Sequence, residues 1–399
     1  MGEWKEYKLG ELISVNAKSI DRNYPHKAIE YLDTGSITRG QIEGFQTFEL
    51  ENAPSRAKRL LNNNDIIYST VRPIHRHYGI IKNPKPNLVV STGFAVLSCN
   101  EKRADAKFIY YFLTSDDVVN YLDMVADGST SAYPSLKPNV IADMDILLPS
   151  LPEQKTIASI LSSLDDKIDL LHRQNKTLEA LAETLFRQWF VEEAEEGWAM
   201  GKLEEFGKII CGKTPSKKIH SYFGGSIPFI RIPDMHGKTF IFDTADTLTE
   251  EGANSQQNKF LPPKSICVSC IATVGLVTIN AFNSQTNQQI NSIIPSKEIY
   301  RYFLYLKLAT MKDELLAMAS GGTATDNLNT GDFSNIDIMK PDDKVLELFH
   351  NQVQIYFDKI FINQTQIRTL TRLRDTLLPK LMIGDVRVKD VEKSVEAAS

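Results

Sequence analysis

The run Gly207-Lys208-Ile209-Ile210-Cys211-Gly212-Lys213-Thr214 fits the G-x-x-x-x-G-K-[ST] spacing that cradles nucleotide phosphates, a pattern that works only between a buried strand and a helix. A polar stretch from Trp198 to Glu205 precedes it and Pro215-Ser216 follows, which argues against phosphate-loop chemistry. Cys267 and Cys270 have a metal-like spacing, yet no second pair accompanies them. Their neighbours read as a strand, where i and i+3 face opposite sides, so buried thiols are expected. Of the seven histidines only His75 and His77 lie close together, and no Ser-His-Asp or paired-carboxylate arrangement can be assembled. An Asn-Pro-Pro-Tyr motif of an adenine methyltransferase is absent too, so neither catalysis nor a metal or cofactor is expected of this chain.

The residues that do cluster are donors suited to phosphate oxygens and base edges. The best run is Ser69-Thr70-Val71-Arg72-Pro73-Ile74-His75-Arg76-His77-Tyr78 after a β-branched stretch, with Arg56, Lys58 and Arg59 second. Farther on, Lys213-Thr214-Pro215-Ser216-Lys217-Lys218 is the matching run, and Asn283, Ser284, Gln285, Asn287, Gln288 and Gln289 could read adenine. An ordinary solvated loop fits each of these equally well. The Gly128 and Gly321 turns could bring backbone amides near phosphate, and a plain tight turn fits them as well.

These loops need a frame, and composition bounds it. The 399 residues are 42% hydrophobic, 9% aromatic and 24% charged, enough core for two or three domains and too ordered in texture for collagen or extensive disorder. The longest apolar runs are too short for a membrane span, Met1-Gly2-Glu3-Trp4-Lys5-Glu6 is too polar for a secretory signal, and four scattered cysteines fit reduced thiols. The cytoplasm is the expected compartment. The net charge of −5 argues at first against nucleic acid. Divided by segment, residues 1–150 carry 17 basic and 18 acidic side chains, 151–197 carry 5 and 10, 198–340 carry 14 and 13, and 341–399 carry 9 and 9. The acidic excess therefore sits in one helical segment and its linker.

Internal self-similarity decides the architecture. At an offset of 192, Asp166-Lys167-Ile168 falls on Asp358-Lys359-Ile360, Thr177-Leu178 on Thr369-Leu370 and Thr184-Leu185 on Thr376-Leu377, with nine identities in the twenty positions from 166 to 185. At 194, Trp4 meets Trp198 and Lys8-Leu9 meets Lys202-Leu203. The chain reads as two copies of one module: a mostly β domain (1–150), a spacer helix with linker (151–197), a second mostly β domain (198–340), a second spacer helix (341–384) and a tail (385–399). Short helices are expected over Lys107 to Leu122 and Ser296 to Met318.

Both spacer helices carry a heptad seam: Leu161, Leu164, Ile168, Leu171, Leu178, Leu185 and Trp189 in the first, Val353, Tyr356, Ile360, Ile367, Leu370, Leu377 and Leu381 in the second. Pro152 and Glu153 start the first helix, and Pro379 disturbs the last turn of the second. One apolar stripe cannot bury itself, and each helix is the other's obvious partner. An antiparallel register pairs Leu161 with Leu377, Ile168 with Leu370 and Leu178 with Ile360, and it sets Asn175 opposite Asn363, a polar pair able to fix the register. The expected fold is α+β: two globular domains joined by a two-stranded antiparallel coiled coil about a pseudo-two-fold axis. Helices packed each on its own domain are the alternative.

This frame resembles the specificity subunit of type I restriction-modification systems over essentially its whole length. The resemblance is carried by Leu148-Pro149-Ser150-Leu151-Pro152-Glu153-Gln154-Lys155, its echo Ile338-Met339-Lys340-Pro341, the stretch Leu178 to Arg187, Ile227-Pro228-Phe229-Ile230-Arg231-Ile232-Pro233-Asp234, and the Gly128-Ser129-Thr130 and Gly321-Gly322-Thr323 turns. Asp342-Asp343-Lys344 departs from the pattern at the second helix start. The resemblance implies two target-recognition domains that each read half of a bipartite double-stranded DNA target. It also implies helices that set the spacer and dock two methyltransferase subunits, with restriction subunits as further partners and no membrane. A nucleotide-dependent enzyme using Gly207 to Thr214, or a helical scaffold that does not bind DNA, are the other readings.

Overall fold

The computed structural model describes residues 4–128, 135–195, 197–320 and 326–386. They fall into two units, one formed by residues up to 169 together with those from 368 onward, the other by residues 170–367. Among the described residues no helix is long and apolar enough to cross a membrane.

In the first unit, the fully buried run Asp65–Ser69 forms the middle of an antiparallel sheet ordered Ile13–Val15, Phe94–Cys99, Asp65–Ser69, Tyr78–Ile81. A second sheet runs Gln46–Glu49, Ala28–Leu32, Leu88–Ser91, Ala57–Leu60, with its central two strands parallel. The strand Asp65–Ser69 ends before Thr70, whose backbone N–H and hydroxyl both donate to the Gly93 carbonyl. The expected helix from Lys107 to Leu122 is two helices, α1 (Ala106–Thr114) and α2 (Asp116–Asp127). Ser115 between them is extended (φ −62°, ψ 147°), and its hydroxyl donates to the Phe112 carbonyl.

The second unit repeats this plan. Its main sheet is ordered Gly207–Cys211, Ile290–Pro295, Ile266–Ser269, Val277–Asn280, Phe240–Ile241, and its smaller sheet Asp246–Leu248, Phe223–Ile230, Gln285–Thr286. The expected helix from Ser296 to Met318 is again broken, at Met311, into Tyr300–Thr310 and Lys312–Ala319.

Each β domain begins and ends in one two-stranded ladder, Lys5–Lys8 with Asp145–Leu148 and Ala199–Lys202 with Asp337–Lys340. Both ladders carry the same ion pair at the same place, Lys8 with Asp145 at 2.6 Å and Lys202 with Asp337 at 2.7 Å. These side chains are about half exposed, so the pairs contribute little energy and chiefly mark the duplication.

The long helices are α3 (Leu151–Arg187), followed by a π-helical turn, and α6 (Asp343–Met382); Tyr300–Thr310 and Lys312–Ala319 are α4 and α5. They run antiparallel within each unit. In the first, Arg374 Nη1 donates to Asp165 Oδ1 at 2.8 Å, and Asp165 Oδ2 accepts from the Tyr111 hydroxyl at 2.7 Å. In the second, Asn363 Nδ2 donates to Asn175 Oδ1 at 2.9 Å, and Phe186 and Phe190 pack on Phe349. Of the expected seam residues, Leu161, Leu164, Ile168, Leu171, Val353, Ile360, Leu370, Leu377 and Leu381 are buried, whereas Leu178, Leu185, Trp189, Tyr356 and Ile367 are half-buried. The helices also pack on their own domain through a second column the heptad reading does not contain: Phe190 meets Phe303 at 4.9 Å between ring centroids, and Phe357 stacks on Tyr302 at 4.2 Å. Seam and domain packing therefore coexist.

The two helix starts differ in chemistry. Gln154, almost fully buried, accepts from the Asp105 N–H at 2.9 Å and donates to the Pro149 carbonyl at 2.9 Å, which ties α3 to the domain before it. The position 192 residues on is Leu346, fully buried in apolar core. There Asp343 holds the start of α6 instead, accepting from Lys297 and from the Tyr300 hydroxyl.

Candidate nucleic-acid interface

Ser69 and Thr70 do not face solvent. Ser69 Oγ donates to the Val71 carbonyl at 2.9 Å, Thr70 is closed on Gly93, and both residues are buried, so neither can touch DNA. The loop beyond them is a single 3-10 turn, Pro73–His75, between Arg72 (φ 46°) and Arg76 (φ 57°), both left-handed. Asp123 on α2 accepts the Ile74 N–H at 3.0 Å, and Asp116 pairs with Arg76 at 2.8 Å, so the loop is held on α2. His77 Nδ1 lies 2.7 Å from the Ile37 carbonyl. Arg72, Ile74 and His75 are the exposed members of the run, which leaves Arg72 and His75 as its exposed donors.

Arg56 joins the same region, because its carbonyl accepts from the Thr92 N–H and the next residue, Gly93, binds Thr70. Lys58 and Arg59 lie on Ala57–Leu60, an edge strand of the second sheet. Lys58 is exposed, while Arg59 is half-buried with Nη1 donating to Ser19 at 3.3 Å.

In the second unit the two proposed clusters meet. Lys213 N–H donates to the Thr286 carbonyl at 2.9 Å and Thr214 Oγ1 to Gln288 Oε1 at 2.7 Å, so the Lys213-to-Lys218 loop and the Asn283-to-Gln289 loop form one surface. Gly212 permits the approach, since a Cβ there would stand 2.1 Å from the Asn287 carbonyl oxygen. Lys213, Ser216, Lys217, Lys218, Asn283 and Gln288 are exposed and Thr214 is half-buried. Gln285 is removed from the set. It is fully buried, with Nε2 donating to the Ala253 carbonyl at 2.8 Å and Oε1 accepting from Gln256 at 2.7 Å. Ser284 and Asn287 are buried as well.

The phosphate-loop spacing is built differently from a nucleotide site. Gly207–Cys211 is itself a strand, paired with Ile290–Pro295, and the chain after Thr214 leads to the 3-10 turn His220–Tyr222 rather than to a helix. Cys267 and Cys270 point into different cores, and burial raises their thiols to about 12 and about 11. The Gly128 turn is described only to Gly128, and Ser129, Thr130 and Gly321-Gly322-Thr323 lie outside the described residues.

Sequence reasoning missed Arg39. It sits on a two-residue turn between Ile37–Thr38 and Gln41–Ile42, against the Arg72–His77 loop. The signal was local: an Xaa-Gly pair flanked by short β-branched residues marks a hairpin.

The frame repeats while the loops differ, the architecture of a protein that presents two unlike surfaces on one duplicated scaffold. The chain belongs to the type I restriction-modification DNA specificity family, whose domain matches residues 1–180 and 195–372. It is 34% identical to the type I restriction enzyme HindI specificity subunit of Haemophilus influenzae, covering 97% of this chain and all of that one. The MjaIX specificity subunit of Methanocaldococcus jannaschii is 28% identical, over 84% of this chain and 80% of the relative. The fold is also that of the crystallised type I restriction-modification S subunit from M. genitalium, with a TM-score of 0.58 at 17% identity over 95% and 96% of the two chains.

Proposed function

We propose that this chain is the DNA-reading subunit of a cytoplasmic type I restriction-modification complex and does no chemistry itself. Residues 1–150 read one half of a bipartite target and residues 198–340 the other. The spacer helices set the distance between the half-sites, and two methyltransferase subunits, with restriction subunits where the complex has them, act on what is read. The observation that carries this reading is the pairing of a strand order shared by the two main sheets with two different donor sets. Arg56, Arg72 and His75 are exposed on the first domain, and Lys213, Lys217, Lys218 and Asn283 on the second. Unlike donors favour unlike base sequences, so the two half-sites differ. Two readers on one duplicated chain suit half-sites about one helical turn, roughly 34 Å, apart.

The outer helix surface is the docking face for the methyltransferase. Leu348, Ile355 and Ile362 recur every seven residues along α6 and stay 61%, 62% and 57% exposed, an apolar stripe that a solvent-facing helix does not need. The test is an exchange of residues 1–150 for those of another family member, read by mapping methylated sites in the host genome. One half-site is expected to change and the other to persist. A change in both would defeat the two-reader assignment.

A further inference from the structure

Ile37–Thr38 and Gln41–Ile42 form a small hairpin closed by Arg39 and Gly40, with φ of 49° and 82°. A two-residue turn with both φ values positive favours Asn, Asp or Gly, because an L side chain crowds its own backbone there. Eight non-glycine residues have positive φ among the described residues; three are asparagines, and three are arginines, namely Arg39, Arg72 and Arg76. The asparagines follow the backbone preference. The arginines oppose it, and all three gather in one corner of the first recognition domain.

That corner is tightly joined. Arg39 N–H donates to the Arg76 carbonyl and Gly40 N–H to the Tyr78 carbonyl, both at 2.8 Å. Thr38 Oγ1 lies 3.3 Å from His77 Nδ1, and a Cβ on Gly79 would come within 2.6 Å of Ile37 Cδ1, so hairpin and loop pack without a gap. Arg76 is engaged by Asp116. Arg39 and Arg72 are exposed, and among the described residues neither is held in an ion pair. A residue that is unfavourable for the backbone, in a turn locked in place from several sides, is retained for its side chain.

We infer that Arg39 contacts DNA, acting with Arg72 as a two-armed cationic fork on the first half-site. The inference rests on the DNA-reading function proposed above and adds a reading element, the Ile37–Ile42 hairpin. A guanidinium forks onto guanine O6 and N7 or onto phosphate oxygens, and both belong to the same duplex.

The full-length chain, assembled with its methyltransferase subunits, is titrated with a duplex carrying the target found by methylation mapping, and with duplexes in which either half-site is scrambled. Arg39→Gly suits the turn and leaves the hairpin in place. It is expected to bind the target about tenfold more weakly, with unchanged or higher thermal stability. Arg39→Lys restores binding if the contact is phosphate and stays as weak as Arg39→Gly if it is guanine; either result supports the inference. Target binding by Arg39→Gly within twofold of wild type, beside a weakened Arg72→Ala, overturns it and leaves the DNA-reading function standing. A wild-type complex that did not prefer its target over the scrambled duplexes would overturn that function instead.

Discussion

Asn363 on α6 donates its side-chain amide to the side-chain carbonyl of Asn175 on α3 at 2.9 Å, and both residues are buried. By the 192-residue repeat, the counterpart of Asn175 is Ile367 and that of Asn363 is Leu171. The asparagine layer therefore forms only between unlike helices. The same holds for Asp165 and Arg374, whose counterparts are Phe357 and Ala182. An α3 paired with another α3 in the same register would set Asn175 against leucine and Asp165 against alanine, leaving the buried Asn175 without its partner and Asp165 without its ion pair.

Replacing Asn175 alone with leucine strands the Asn363 amide in the seam and should lower stability by about 1–3 kcal/mol, read from urea unfolding. Replacing both with leucine should restore or exceed wild-type stability while loosening the choice of register. A double variant less stable than Asn175→Leu would show that the asparagines act independently.

His350 is buried, stacked on Tyr302 at 5.2 Å between ring centroids, and its Nδ1 has no hydrogen-bond partner among the described residues. Burial, with Arg301 nearby, holds its pKa below the ordinary histidine value, against the smaller opposing pull of Glu298 and Asp358. The unfolded chain takes up the proton first, so stability falls as pH drops through about 6.5. His350→Phe keeps the stacking and should flatten this part of the pH–stability curve. A wild-type curve no steeper than the variant's between pH 7.5 and 5.5 would exclude the effect.

Lys217 and Lys218 are exposed in a turn that follows a strand. As phosphate contacts they position the second domain without specifying sequence. Changing both to alanine should weaken binding about equally on target and scrambled duplexes and reduce the slope of log affinity against log salt by about two. A loss confined to the target duplex would make them base readers.

The sequence made the frame legible because duplication and heptads are long patterns with many residues voting for each. Leu161, Ile168, Ile360 and Leu370 are buried, and Asn175 meets Asn363. What was hidden depended on single residues in three-dimensional settings. Gln285 reads as a polar loop residue, yet its strand Gln285–Thr286 is closed in by Ala253 and Gln256. Ser115 divides what reads as one helical stretch into two, and Phe190 and Phe357 lie off the seven-residue seam because they serve a second contact. Arg39 stayed out of sight for a different reason. Its cation lies far in sequence from Arg72, and only the folded hairpin joins them.

The ladders that open and close each recognition domain place its first and last strands side by side, Lys5 opposite Leu148 and Ala199 opposite Lys340. A foreign domain of different length and loops need match the rest of the chain only at that ladder and at the contacts its helices make with α3 and α6. In genetic terms, two crossovers within a few codons of these strands would exchange a complete reading head and leave the helices intact. A lineage with such a gene can reach a new target in one recombination event, without a path of point changes through chains that read neither the old sequence nor the new.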